Sequence, residues 1–168
     1  MWIKHKCVVN FNAFIDTMKG GLTMMYYTTI EQSRNLIELG LNPKTADMFY
    51  SKRPTGKSEY NVFPDFKPEG RLEVFTKVDL PCWSLGVLMD LLPPSIQTGE
   101  GMQNQYEIDI RKYWGDEGNL YQIAYGNDRG LSEEWHDMIN TGEKENLTDA
   151  VFQMICWLLK NGYIKKRE

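Results

Sequence analysis

The sequence predicts an α+β domain, a small antiparallel sheet packed by helices, and three observations carry this. Leu147, Ala150, Val151, Met154, Ile155, Leu158 and Leu159 recur at the spacing of one face of an α-helix. Tyr106, Ile108 and Ile110 alternate with Glu107, Asp109 and Arg111, which is the period of a half-buried strand, and Tyr121, Ile123 and Tyr125 repeat that period after a glycine-containing turn. The elements follow one another as α, α, β, α, β, β, α, without the regular strand–helix alternation of a parallel sheet.

Each element has local chemistry behind it. A helix over 29–39 starts at a capping box, Thr28 with Glu31 or Thr29 with Gln32, carries Ile30 and Ile37, and stops at Gly40. Asn42 and Pro43 open a short helix whose turns fall on 45–49. Residues 51–57 form a basic loop, 60–63 a short extended piece ended by Pro64, and 67–70 a turn. Leu72, Val74, Thr76 and Val78 alternate with Arg71, Glu73, Phe75 and Lys77, a strand near 71–78. Ser84 caps a helix over 84–92, which Pro93 and Pro94 terminate. A hairpin covers 104–126, 132–139 reads as a short helical or irregular piece, and 141–145 as a connector.

The last helix, 147–161, has Asn146 as cap, Asp149 in its first turn, Lys160 in its last and Gly162 to end it. Phe152 and Trp157 flank its apolar face and leave only a narrow polar stripe of Asp149, Gln153 and Lys160. Such a helix is covered on more than one side. Phe152 and Trp157 therefore pack on the other helices or form a subunit contact, the second making a homo-oligomer.

A chain of 168 residues that is 42% hydrophobic and 12% aromatic has enough apolar surface for one globular domain, placed at 24–168. Residues 1–23 lack capping and turn signals. Lys19, Gly20 and Gly21 are also what a purine-rich ribosome-binding sequence encodes when translated, a few codons before Met24. Two readings stand: an upstream leader with the start at Met24 or Met25, or an N-terminal strand over 3–11. The net charge of −4 disfavours general binding of duplex nucleic acid, which needs a basic surface. No apolar run approaches the length of a membrane-spanning helix. Cys7, Cys82 and Cys156 are odd in number and far apart, which fits free thiols in a reducing cytoplasm better than a disulfide framework.

The chemical vocabulary is sparse. Residues 51–58 (SKRPTGKS) are one residue short of a phosphate-binding loop, but the required strand before it and helix after it are missing. Lys52, Arg53 and Lys57 still make the most basic spot of an acidic chain. With an aromatic such as Trp83 they could hold a small anionic, nucleotide-like ligand. Cys82, just before a helix start, would gain reactivity from the helix dipole but reads more simply as small apolar filler. His136 lies between Glu133, Glu134 and Asp137, neighbours that point in different directions on a helix. Glu107 and Asp109 share a strand face and read as exposed charge rather than paired catalytic carboxylates. No metal site and no cofactor are expected.

Three blocks, 27–48 (YTTIEQSRNLIELGLNPKTADM), 80–93 (LPCWSLGVLMDLLP) and 145–164 (ENLTDAVFQMICWLLKNGYI), occur in this order. Over about 25–165 the chain resembles a family of uncharacterised small proteins from gut Bacteroidales and their phages and mobile elements, whose members begin near the position of Met25. The resemblance carries no functional residues. It implies a cytoplasmic accessory protein, phage-encoded in one reading, acting on a host protein such as a defence component. The expected function is non-catalytic binding. The alternatives are a sponge for a nucleotide-type anion and a small enzyme using Cys82 or His136.

Overall fold

The computed structural model describes residues 26–52, 60–61, 63–66, 79–100, 104–115, 118–128 and 135–166. The segments are organised by two antiparallel sheets. The first has the order β2-β1-β3, with β1 (Met48–Tyr50) between β2 (Asp65–Phe66) and β3 (Leu80–Cys82), so that Met48 faces Phe66 on one side and Cys82 on the other. The second runs in chain order, β4 (Ser95–Gln97), β5 (Gln105–Gly115), β6 (Gly118–Asp128) and β7 (Trp135–Asn140). Among the described residues three α-helices accompany them: α1 (Ile30–Glu38), α2 (Leu85–Asp90) and α3 (Leu147–Lys160). The fold class is α+β, as the sequence patterns imply.

Helix ends form where the capping residues place them. Of the two possible capping boxes, Thr29 with Gln32 is the one used. The Thr29 hydroxyl accepts the Gln32 N–H at 3.1 Å, and the Gln32 side-chain oxygen accepts the Thr29 N–H at 2.9 Å. Gln32 then donates through Nε2 to Asp149 Oδ1 at 2.6 Å, tying the start of α1 to the start of α3. Gly40 takes φ +94° after α1, and the Leu41 N–H returns to the Leu36 carbonyl at 2.9 Å, closing the helix in the left-handed manner that glycine allows. Asn146 caps α3 by accepting the Thr148 N–H at 2.8 Å.

The apolar face of α3 is the centre of the core. Ala150, Val151, Met154, Ile155, Leu158 and Leu159 are buried together with Leu36 of α1, Trp83, Leu88 of α2, and Ile123 and Tyr125 of β6. A smaller cluster, Met48, Tyr50, Leu80 and Cys82, sits under the first sheet.

Three expectations change. The single small sheet is two sheets, and β4, directly after the proline stop, extends the second; the Pro94 carbonyl accepts the Ile108 N–H at 3.2 Å. The helical turns expected over 45–49 stop early. A 3-10 turn spans Pro43–Thr45, and the chain then extends into β1, because Met48 and Tyr50 bury on the same side of a strand. From Trp135 on, the helical or irregular piece expected over 132–139 is instead the strand β7, which runs on to Asn140 and whose backbone pairs along β6 and satisfies groups that would otherwise be unpaired. The strand near 71–78 lies outside the described residues, as does the segment 1–23 with its two readings.

Candidate functional site

The residues singled out for ligand binding do not gather into one site. Trp83 is fully buried in the core, and its indole N–H donates to Thr45 Oγ1 at 2.9 Å. It therefore presents no ring face to a ligand from solvent, which corrects its assignment as a stacking residue. Lys52 is exposed, and its backbone N–H donates to Asp79 Oδ1 at 3.4 Å. Arg53 and Lys57 lie outside the described residues.

Cys82 is enclosed as well. Its Sγ donates to the Thr28 carbonyl at 3.3 Å, beside the Tyr50 hydroxyl, which donates to the same carbonyl at 2.8 Å. Burial pushes the Cys82 thiol up to about 11, opposed only in part by hydrogen bonds from Thr28 and Tyr50. The enclosure fits the reading of Cys82 as small apolar filler, and not the dipole-activated thiolate weighed beside it. Cys156 is likewise pushed up by burial to about 11, with Lys160 acting in the other direction. Both folded thiols bind their proton more tightly than an exposed thiol. Their contribution to stability is complete below the unfolded-chain value and is lost as pH rises through about 11. The urea midpoint of a Cys7→Ser variant should accordingly fall between roughly pH 9 and pH 11. Iodoacetamide at pH 8 should label both remaining thiols slowly until urea opens the fold. Rapid native labelling of Cys82 would contradict its enclosure.

His136 stands in β7 opposite Asn127, not on a helix, and its side chain lies outside the described residues. Phe152 and Trp157 are half-buried and pack against this chain's own core; Trp157 stacks on Tyr163 with ring centroids 5.4 Å apart. Of the two readings for this pair, packing within the domain accounts for these contacts.

Asp109 belongs to a polar network on the face of the second sheet turned away from α3. Arg111 donates to Asp109 at 2.6 Å and reaches across β6 to grip Asp137 of β7 with two bonds, at 2.7 and 3.0 Å. Gln122 accepts a further bond from the guanidinium at 3.2 Å and one from the Tyr113 hydroxyl at 3.1 Å. Crossing β6 in this way, Arg111 runs over Ala124, which is fully buried although it faces outward. The network joins three strands and commits the guanidinium to carboxylates of its own chain.

Exposed apolar side chains among the described residues gather toward the turn of the hairpin. β5 and β6 have 11 residues each, about 36 Å at strand rise, whereas α3 has 14, about 21 Å at helical rise. The helix therefore cannot cover the whole hairpin. On β5 the core contacts end at Tyr106 and Ile108. Beyond them on the same face Ile110 is 41% exposed and Trp114 84%, while Tyr113, on the face of the Arg111 network, is 37% exposed. Lys112 lies over the Trp114 ring, its Nζ 4.9 Å from the centroid. The structure puts the Trp114 ring in solvent. The available signal was its place next to the turn, at the end of strands longer than their supporting helix. Phe63 and Phe66 are also exposed, but their neighbours at 62 and 67–78 lie outside the described residues.

No family model, curated protein or solved structure matches this chain. Among the described residues no group of three or more His, Cys, Asp or Glu is placed to hold a metal ion, and no helix is long and apolar enough to cross a membrane.

Proposed function

We propose that the protein is a non-catalytic binding protein that engages a partner protein through the free end of the β5–β6 hairpin. The observation that carries this is Trp114, 84% exposed on a strand that outruns its supporting helix, with Ile110 and Lys112 on the same face. A large aromatic held in water by a regular backbone gains its burial only in a complex, and tryptophan and tyrosine are the side chains on which interface energy concentrates. The resemblance to small proteins of phages and mobile elements extends the proposal: a cytoplasmic accessory protein whose partner is a host protein or defence component. A nucleotide sponge built from the 51–58 loop and Trp83 is not favoured, since Trp83 has no exposed face.

A photo-crosslinking residue at Tyr113 should capture a discrete protein, and the purified pair should then re-form the complex. Trp114→Ala should weaken that complex at least tenfold, about 1.4 kcal/mol or more, with the melting temperature unchanged because the ring contributes little burial to the fold. Capture from a crosslinker at Gln153 but not at Tyr113 would move the contact surface to α3.

A further inference from the structure

We infer that the outer edge of β5 accepts an extended peptide of the partner as an added antiparallel strand, with an acidic residue opposite Lys112 and apolar residues opposite Ile110 and Trp114. This rests on the reading of the hairpin end as the contact surface, and names how that surface binds.

The backbone register decides which groups are open. Tyr121 directs its N–H and C=O away from β5, to the Lys144 carbonyl at 2.7 Å and the Lys144 N–H at 2.9 Å. Ile123 does the same, to the Thr141 hydroxyl at 3.0 Å and the Thr141 N–H at 2.9 Å. In an antiparallel ladder, residues opposite such positions form the non-hydrogen-bonded pairs and turn their own groups the other way. Those residues are Lys112 and Ile110, and Trp114 opposite Asn119 has the same parity. Ile108, next in the series, obeys the rule by donating to Pro94 on the outer side. Beyond Ile108 the β4 strand has ended, and the outward N–H and C=O groups of Ile110, Lys112 and Trp114 have no partner among the described residues. They form a ladder of three donors and three acceptors at two-residue intervals.

The edges of β2, β3 and β7, all among the described residues, are poorer templates. β2 has two residues and β3 three. The pairing of β6 with β7 carries a register shift at Tyr125/Gly126, and such bulges bend an edge away from further pairing. The pairing of β5 with β6 is regular from Glu107 to Gly115. A straight edge with apolar side chains is the surface to which peptides add by main-chain hydrogen bonds, while alternate side chains select the sequence.

Side chains on one face of β5 set the selection. Ile110, Lys112 and Trp114 project together, so an incoming strand meets apolar, cationic and aromatic positions in turn. Arg111 is held by Asp109 and Asp137, which leaves Lys112 as the cation this stretch of β5 offers to a partner. A second copy of the chain fits less well. The two-fold register that uses all three outward positions places Lys112 opposite its own counterpart, and like charges directly opposite destabilise a pair. Lys112 thus acts against self-pairing and selects for an acidic partner.

The probe is a blocked heptapeptide alternating threonine with valine, glutamate and valine, and a control with lysine in place of glutamate. Amide hydrogen exchange is followed on the full chain. The glutamate peptide should slow exchange at Ile110, Lys112 and Trp114 at least about tenfold and leave Arg111 and Tyr113, already bonded to β6, unchanged. It should bind about fivefold more tightly than the lysine peptide, with Lys112→Glu reversing that order. Lys112→Pro, which removes one outward N–H and none of the β6 ladder, should abolish the protection. No added protection at millimolar peptide, or equal affinity for both peptides, overturns the inference. So does concentration-dependent protection of these amides in the protein alone, which would identify a second copy as the occupant. A crosslinked partner at Tyr113 without strand protection overturns strand addition alone; loss of both removes the hairpin surface as well.

Discussion

Leu158→Asp should leave the chain unfolded. Leu158 is fully buried on α3, within the cluster that joins all three helices to β6. The substitution removes about 1.5–3 kcal/mol of apolar burial. It also places a carboxylate where nothing in the apolar cluster can pair with it, which costs several kcal/mol more or forces the group to stay protonated. Together these match the whole stability of an ordinary domain, about 5–15 kcal/mol. Far-UV circular dichroism should lose its helical signal, and the near-UV aromatic signal should vanish with it. Leu158→Ala, which leaves a cavity without a charge, should fold but lose about 2–5 kcal/mol in urea titrations. Gln153→Asp, on the exposed side of the same helix, should stay within about 0.5 kcal/mol of the parent. A cooperative melt for Leu158→Asp would show that α3 is not the spine of the core.

The same helix shows why part of the fold is legible in the sequence. Seven apolar residues at helical spacing, with Asn146 in front and Gly162 behind, leave one economical arrangement, and α3 runs as that pattern dictates. The hairpin is equally plain, because alternation survives over both strands. β7 is hidden because its pattern is short and follows acidic residues that resemble a helix start; what makes it a strand is the edge of β6, a partner distant in sequence. β1 and β4, at three residues each, are too short to show a period and exist through pairing alone. The exposed position of Trp114 is hidden for a different reason. Alternation tells which face a residue joins, but not where the supporting layer stops, and Trp114 differs from a core tryptophan only in lying past that limit.

Trp83→Ala should cost about 3–5 kcal/mol of stability, the opposite of what a ligand-stacking residue would show. The ring is fully buried among residues of all three helices, and its indole N–H is satisfied by Thr45. Truncation opens a cavity in a close-packed interior that can relax only partly. Its backbone N–H, donated to Thr28 Oγ1 at 3.1 Å, is untouched by the change, so the loss reports packing rather than the strand connection. Trp83→Phe keeps most of the apolar volume and gives up one hydrogen bond. Its bonding partner, the exposed Thr45, can turn to water, so this change should cost nearer 1 kcal/mol for the bond, plus a smaller cavity term. The graded series separates the two roles. A core residue loses stability in the order Phe, then Ala, at every ligand concentration. A binding residue keeps its urea midpoint and changes only affinity. Trp114→Ala should follow the second pattern and Trp83→Ala the first, because the core encloses one of these tryptophans and the core contacts of β5 end before the other.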